Sequence, residues 1–192
     1  MKHYYNLLKR LFDIFLSFFL LILFIIPMIV IFILILFIDK QSPIFWSKRV
    51  GLYSALFNMP KFRTMKSSSP IVATHLFKQN DHITFFGKIL RRMSFDEIPQ
   101  LYNIFKGDMS FVGPRPALFN QYDLIELRKK HKIDNILPGI TGLAQINGRD
   151  KLTIKEKVQY EEEYLYKRSF IFDLSIIFKT IFMTIMQKNI TH

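Results

Sequence analysis

The 192-residue chain contains 27 Lys and Arg against 15 Asp and Glu, 21 Phe and no Cys. This length is enough for one domain with a real hydrophobic core but hardly for two, and the lack of Cys excludes disulfides and thiolate metal sites. The formal net charge of +12 suggests a polyanionic partner, whereas the hydrophobic content of 50% is typical of a membrane protein. Together, charge and hydrophobicity indicate a protein that lies on an anionic bilayer face.

Residues 14–38 form an apolar run without a single charged side chain. A helix of this length measures roughly 38 Å, which exceeds the ~30 Å hydrocarbon core of a bilayer. The run is too long for a signal peptide and has no small-residue cleavage site. We therefore predict that residues 1–40 form a membrane-inserted helix.

The path of this helix through the bilayer has two interpretations. Base rates favour one straight transmembrane helix. Pro27, however, lies in the middle of the run, where it removes a backbone hydrogen bond and kinks a helix. Basic residues also flank both ends of the run, so the positive-inside rule places both ends on the cytoplasmic side. A re-entrant helix kinked at Pro27 satisfies both observations and is our prediction.

Residues 43–50 and 55–65 predict the two strands of a β-hairpin, with residues 51–54 as the turn. Pro60 restricts the second strand to a sheet edge or a bulge. Lys61 and Arg63 alternate with Phe62, so they share one face of the strand. This basic face is either solvated or in contact with phosphate.

An adjacent carboxylate pair, Asp96 and Glu97, follows a short basic helical piece. Ser94 and Glu97 have the spacing of a capping box, which would make Ser94 the N-cap of the next helix. Pro99 argues for a later start with Asp96 as the N-cap. In both cases the two acids lie at the N-terminus of a helix that ends at Gly107. The simplest interpretation is that they only cap this helix.

The same geometry also suits phosphate chemistry. A helix N-terminus keeps a carboxylate ionised, and an ionised carboxylate can attack phosphorus or bind Mg²⁺. Arg91 and Arg92 precede the two acids and could screen an incoming phosphate. Farther along the chain, Pro114 and Pro116 flank Arg115 and fix it at low entropic cost. These features favour a phosphate-handling site over simple capping.

The remaining chain is predicted to be mainly helical. Residues 118–132 form a helix whose basic end, Arg128 to Lys130, is predicted to be a solvated face. The glycines in 138–142 and 147–150 are expected to allow close approach of the backbone to a ligand. Residues 153–168 form a charged helix with several Tyr. In 170–187, Asp173, Thr180, Thr184 and Gln187 share one face, which predicts an interfacial helix; a buried core helix is the alternative.

Four segments of the chain resemble the bacterial sugar transferases, the small monotopic phosphoglycosyl transferases. They occur in the order typical of that family, and the resemblance extends over residues 9–173. The segments are 61–65 (Lys-Phe-Arg-Thr-Met), 94–97 (Ser-Phe-Asp-Glu), 106–116 (Lys-Gly-Asp-Met-Ser-Phe-Val-Gly-Pro-Arg-Pro) and 138–149 (Pro-Gly-Ile-Thr-Gly-Leu-Ala-Gln-Ile-Asn-Gly-Arg).

The resemblance implies a reaction at the cytoplasmic face of the bacterial inner membrane. A sugar-1-phosphate would pass from a UDP-sugar to undecaprenyl phosphate with release of UMP, as the first membrane step of a lipid-linked glycan pathway. Asp96 would be the nucleophile that forms a covalent phospho-sugar intermediate, Glu97 would support it, and Asp96 would bind the required Mg²⁺. Phosphates or nucleotide would contact four basic residues: Lys61, Arg91, Arg115 and Arg149.

The predicted fold is therefore α+β and mostly helical. It consists of a membrane-inserted helix (1–40) and a cytoplasmic catalytic domain (41–192) with a small β-hairpin and amphipathic interfacial helices around the active site. The expected partners are the UDP-sugar, undecaprenyl phosphate and the lipid bilayer, and no nucleic acid. The alternative is a non-catalytic membrane-anchored protein that binds polyprenol phosphate or anionic lipid.

Two positions depart from the family pattern. The family commonly has Ser before the proline that breaks its membrane helix, and this chain has Ile26 before Pro27. The kinking proline is kept, but the hydroxyl that could satisfy a freed carbonyl is not. The family also often has Asp where this chain has Glu161, so Glu161 is not assigned to the site.

Overall fold

The computed structural model describes residues 2–69, 82–148 and 151–186, and it has the predicted α+β, mostly helical composition. The helices are α1 (Lys2–Leu34), α2 (Phe85–Arg92), α3 (Leu101–Lys106), α4 (Tyr122–Lys130), α5 (Leu143–Ile146), α6 (Ile154–Lys167) and α7 (Phe170–Ile185). The strands are β1 (Ile44–Val50), β2 (Leu56–Phe62), β3 (Ser110–Val112), β4 (Ala117–Leu118) and β5 (Gly139–Thr141).

Helix α1 contains most of the apolar run, and the rest of the run lies in the π-helical turn that follows, Ile35–Asp39. Among the residues that the structure describes, Tyr4–Asp39 is the one helical stretch long and apolar enough to cross a membrane, and only 11% of its most apolar window is buried. Large side chains such as Phe15, Ile26 and Phe37 are exposed along it. These exposed side chains suit a lipid environment. Pro27 lies inside α1, and the re-entrant path stays a prediction.

The first turns of α1 are fixed to the rest of the protein by charged side chains. Arg10 donates to the last carbonyls of α3 at 2.7 and 2.8 Å, which satisfies groups that a helix C-terminus leaves unpaired. Asp13 accepts a hydrogen bond from the backbone amide of Phe111 in β3 at 3.1 Å. Lys9 pairs with Asp173 of α7 at 2.7 Å. The apolar helix is thus held directly against α3, which follows the carboxylate pair, and against β3, which leads into the arginine loop.

The predicted hairpin is present, and its strands pair antiparallel with Phe45 opposite Lys61. The sheet has the order β2-β1-β4, so β2 is an edge strand. Pro60 therefore occupies the edge position that its missing N–H requires, as predicted. The hairpin orients Lys61 toward the carboxylate pair.

Helix α7 turns its polar face inward and its apolar face outward. Asp173 accepts hydrogen bonds from the hydroxyls of Tyr5 and Tyr164 at 2.9 and 2.8 Å. Ile171 and Phe178 on the opposite face are 80% and 69% exposed. A fully buried core helix is therefore wrong, while an interfacial position stays a prediction. Gln187 lies outside the described residues.

A short parallel pair, β3 and β5, brings the two glycine-containing loops into backbone contact. The amide of Gly139 donates to the carbonyl of Pro114 at 2.8 Å, and the amide of Gly113 donates to the carbonyl of Thr141 at 2.9 Å. A Cβ placed on Gly139 would lie 2.1 Å from the nitrogen of Gly113. The expectation that Gly139 and Gly142 admit a ligand is therefore wrong, because both pack against the backbone of Gly113.

We expect Gly139→Ala to lower the thermal unfolding midpoint by about 10 °C, equivalent to about 3 kcal/mol, since the new methyl group meets backbone that cannot move aside. The matched control is Gly51→Ala, whose methyl group would meet the ring of Phe57 at 3.0 Å. A ring can shift, so the control is expected to cost about 1 kcal/mol or less. Equal unfolding midpoints for the two variants would contradict the proposed role of the backbone contact.

Candidate active site

The carboxylate pair lies in a 3₁₀ segment, Phe95–Gln100, that leads directly into α3. Ser94 has a left-handed backbone (φ 56°) and makes no side-chain cap, so the predicted capping box is wrong. Its amide donates to the carbonyl of Arg91 at 3.0 Å and completes α2, and its carbonyl accepts from the amide of Glu97 at 3.2 Å. Asp96 lies inside the first turn and is not the N-cap. The backbone satisfies this junction by itself, which leaves both acids available for other contacts.

Glu97 is the centre of a buried charge cluster. Its Oε1 accepts from Lys61 Nζ at 2.8 Å and from Arg115 Nη2 at 2.9 Å. The side chains of Lys61 and Glu97 are 16% and 13% exposed. A solvated basic face is therefore wrong for Lys61. Two of the predicted basic site residues are brought together here, but they pair with Glu97 and not with Asp96.

Asp96 is itself buried, with 8% of its surface exposed. Burial raises the pKa of its carboxyl above the ordinary value, and the negative charge of Glu97 acts in the same direction. The positive charge of Lys61 opposes this rise most, followed by Arg91 and Arg115. The Asp96 carboxylate thus stands among three cations, which is a suitable environment for a negatively charged reactant.

The cations are also shifted by burial. Burial lowers the pKa of Lys61, and the nearby charge of Glu97 opposes this. Burial likewise lowers the pKa of Arg91, with Asp96 as the leading opposing charge. Arg91 Nε donates to Thr64 Oγ1 at 2.8 Å, which ties α2 to the chain that follows β2. Lys61, Arg91 and Arg115 therefore lie around the carboxylate pair, and their contact with phosphate or nucleotide stays a prediction. Arg149 lies outside the described residues.

Arg49 is a residue of this cluster that the sequence did not single out. Its guanidinium donates to Ser47 Oγ at 2.9 Å and to the carbonyl of Pro116 at 3.1 Å. Burial lowers its pKa to about 10, the positive charge of Arg115 adds to this, and Glu97 opposes it. Within β1, Arg49 lies two residues beyond Ser47, on the same strand face. This alternation is the available signal in the sequence, where Arg49 is otherwise only one of the basic residues that flank the apolar run.

Arg128 is a second buried arginine near the arginine loop, and the prediction that it lies on a solvated face is wrong. Only 8% of Arg128 is exposed, and its guanidinium forms two hydrogen bonds with the buried carboxylate of Glu161 at 2.8 and 2.5 Å. Lys129 and Lys130 are exposed as expected. The signal in the sequence was the spacing from Leu124, because residues four apart on a helix share a face and Leu124 is buried.

The donor set around Asp96 fits one kind of metal site. Within the described ranges, no group of three or more His, Cys, Asp or Glu side chains could hold a metal ion. Mg²⁺, however, commonly takes one or two carboxylates and completes its shell with substrate phosphates and water. Glu97 Oε1 already receives two cationic donors, so Asp96 is the available carboxylate. Among the described residues, Asp96 would therefore suit Mg²⁺ only together with oxygen ligands from a phosphate.

Comparison with known proteins gives the family of the chain. Residues 4–187 match the family model of the bacterial sugar transferases. An uncharacterized sugar transferase, EpsL, of Bacillus subtilis is 39% identical over 149 residues, covering 77% of this chain and 72% of the relative. The undecaprenyl-phosphate galactose phosphotransferase of Salmonella typhimurium is 36% identical over 131 residues, covering 58% of this chain and 27% of the relative.

A third relative is the UDP-galactose-lipid carrier transferase of Erwinia amylovora, which is 32% identical over 171 residues. That match covers 79% of this chain and 35% of the relative, so the chain spans about a third of this protein. The family match includes the hairpin, the carboxylate pair and the arginine loop. It confirms the prediction of an enzyme that transfers sugar-1-phosphate. The chain belongs to the bacterial sugar transferase family.

Proposed function

We propose that this enzyme transfers a sugar-1-phosphate from a UDP-sugar to undecaprenyl phosphate and releases UMP. The observation that carries the proposal is the buried Asp96 carboxylate beside Lys61, Arg91 and an Arg115 that is held by Glu97. The names of the relatives from Salmonella and Erwinia support the lipid phosphate acceptor and the UDP-sugar donor. A buried nucleophile surrounded by cations suits two anionic substrates that use one site in turn.

In the first step, a carboxylate oxygen of Asp96 attacks the phosphorus that bears the sugar. The new oxygen–phosphorus bond forms as the bond to the bridging diphosphate oxygen breaks, and UMP leaves with that oxygen. Lys61, Arg91 and Arg115 stabilise the charge that develops on the phosphoryl oxygens and on the leaving group. Asp96 then carries the phospho-sugar as a mixed anhydride.

In the second step, a phosphate oxygen of undecaprenyl phosphate attacks the same phosphorus. The bond between phosphorus and the Asp96 oxygen breaks, the carboxylate is regenerated and undecaprenyl diphospho-sugar is formed. Dividing the transfer in this way lets a water-soluble donor and a lipid acceptor occupy the site one after the other. Glu97 holds Lys61 and Arg115 in place during both steps.

Mg²⁺ would be held by the Asp96 carboxylate, and the donor diphosphate would supply further oxygen ligands. When bound, Mg²⁺ neutralises part of the negative charge of the diphosphate and makes the phosphorus a better electrophile. Glu97 continues to accept hydrogen bonds from Lys61 and Arg115 in this arrangement.

The site would operate at the cytoplasmic face of the bacterial inner membrane, where it starts the assembly of a lipid-linked glycan. The exposed apolar length of α1 supports membrane association. Contacts from Arg10 and Asp13 of α1 to α3 and β3 keep the site close to that membrane segment, which suits a lipid acceptor. Basic residues on both flanks of the apolar run support the cytoplasmic side.

A non-catalytic lipid-binding protein accounts for the anchor and the positive charge, but not for the buried carboxylate pair. The family match favours the enzyme.

The test is UMP release from a panel of UDP-sugars with undecaprenyl phosphate, with and without Mg²⁺. We expect release with one or a few donors, dependence on the lipid phosphate for continued turnover, and loss of release when EDTA removes the metal. Restoration by added Mg²⁺ is the control for damage by EDTA. Release that continues unchanged in EDTA would contradict the metal requirement, and no release from any donor would contradict the assigned donor class.

A further inference from the structure

The three consecutive residues Pro114, Arg115 and Pro116 present an unusual arrangement of backbone groups. The two prolines have no amide hydrogen, so their backbone can be anchored only through its carbonyl oxygens. All three carbonyls of the loop accept a hydrogen bond. Gly139 N donates to Pro114 at 2.8 Å, Arg128 Nη2 donates to Arg115 at 2.9 Å, and Arg49 Nη1 donates to Pro116 at 3.1 Å.

The donor to the central carbonyl is itself held in place by a buried carboxylate. Arg128 is buried and its guanidinium forms a two-pronged contact with Glu161, of which 3% is exposed. The same Nη2 that donates to Glu161 also reaches the carbonyl of Arg115. Glu161 thus fixes the plane of the guanidinium, and the guanidinium fixes the backbone of Arg115.

A buried ion pair of this kind is a poor source of stability, because removing two charges from water costs about as much as their attraction returns. Its value lies in the geometry that it enforces. Here the enforced geometry is that of the backbone whose side chain bridges to Glu97 at 2.9 Å. The side chain of Arg115 is 33% exposed, whereas that of Glu97 is 13% exposed.

We propose that Arg128 and Glu161 are positioning residues for Arg115, and that they act on phosphate transfer only through the placement of that arginine. The inference rests on the proposed contact between Arg115 and the donor phosphates. Neither Arg128 nor Glu161 has to touch a substrate in this arrangement. A shift of the Arg115 backbone by about 1 Å would move its guanidinium out of line with the phosphate, which is enough to lower turnover by about 10²-fold.

The test is a double-mutant cycle on UMP release, with the Michaelis parameters of the donor measured for each variant. We expect Glu161→Gln to lower kcat/KM by about 10²-fold, because the amide keeps the size of the side chain but no longer binds both prongs of Arg128. Glu161→Asp keeps the charge and is expected to recover most of the activity. Glu162→Gln, on the adjacent and partly exposed carboxylate of α6, is the matched control and is expected to stay within about twofold of the wild type.

The partner variant is Arg115→Lys, which removes the forked head at the site itself. We expect the double variant to be no slower than the slower single variant, because both changes remove the same contribution. If Glu161→Gln does not fold, Arg128→Lys takes its place in the double-mutant cycle. This variant keeps the positive charge but loses the forked guanidinium. The folded fraction of every variant is measured by thermal unfolding, and rates are expressed per folded enzyme.

Multiplicative losses in the double variant, or unchanged turnover per folded enzyme in Glu161→Gln and Arg128→Lys, would overturn the positioning role. If Arg115→Lys lowers turnover while the pair variants do not, only this inference fails. If Arg115→Lys has no effect either, the role of Arg115 in the proposed function fails with it.

Discussion

Asp96→Asn is expected to abolish turnover, with a loss of about 10³-fold or more, while the protein keeps its fold. An amide has nearly the same shape as a carboxylate but cannot attack phosphorus, so the covalent step is lost. The fold is expected to persist because the 3₁₀ segment around residue 96 is stabilised by backbone hydrogen bonds, such as Glu97 N to the carbonyl of Ser94 at 3.2 Å.

The measurement is UMP release together with transfer of radiolabelled phospho-sugar to the protein when the lipid acceptor is omitted. Wild-type enzyme is expected to become labelled, and Asp96→Asn to remain unlabelled. Asp123→Asn, on an exposed carboxylate at the start of α4, is the matched control and should behave like wild type. Labelling of Asp96→Asn at the wild-type level would refute the covalent role.

Lys61→Met is expected to lower turnover by about 10²-fold or more and to shift its pH dependence. Lys61 donates to Glu97 at 2.8 Å and is the charge that most opposes the rise in the pKa of Asp96. Its removal leaves the developing phosphate charge without one buried donor, which typically costs 10²–10³ in rate. Met keeps most of the buried aliphatic length, so the packing between β2 and the 3₁₀ segment is retained.

The direction of the pH effect follows from two opposing influences on the pKa of Asp96, which are burial and the positive charge of Lys61. Burial raises the pKa of this carboxyl, so the acidic limb of the wild-type rate profile is expected above the ordinary Asp pKa of ~3.9. Without Lys61 the opposing attraction is lost, and the pKa of Asp96 rises further. Fewer molecules then carry the carboxylate at a given pH, so the acidic limb of Lys61→Met should lie at higher pH than in the wild type.

The rate profile is measured at a fixed saturating Mg²⁺ concentration, with Lys48→Met as the control from the exposed face of the neighbouring strand. The control is expected to keep both the rate and the pH limb of the wild type. An acidic limb that stays in place or moves to lower pH in Lys61→Met would contradict the assigned coupling between Lys61 and Asp96.

The sequence by itself determined the elements whose signals are local. The uncharged run 14–38 requires a long apolar helix whatever the rest of the chain does. Two strand-like runs around a glycine-containing turn predict the hairpin at 43–65. The missing N–H of Pro60 predicts that its strand lies at the edge of the sheet. Gly107 ends α3 with φ 104°, as its lack of a Cβ allows. The four ordered motifs gave the family, and three of the four predicted basic site residues lie around the carboxylate pair.

Only the tertiary structure decided which polar groups are buried and with which partner. Glu97 pairs with Lys61 and Arg115, for which the sequence predicts contact with phosphate, because the two cations converge on it from elements far apart in the chain. Arg128 is buried and pairs with Glu161, 33 residues away in the sequence, although its position predicts a solvated face. Periodicity reports which face of a helix is buried, but it carries no information on the partner that makes a buried charge tolerable, since that partner is supplied by the packing of distant segments.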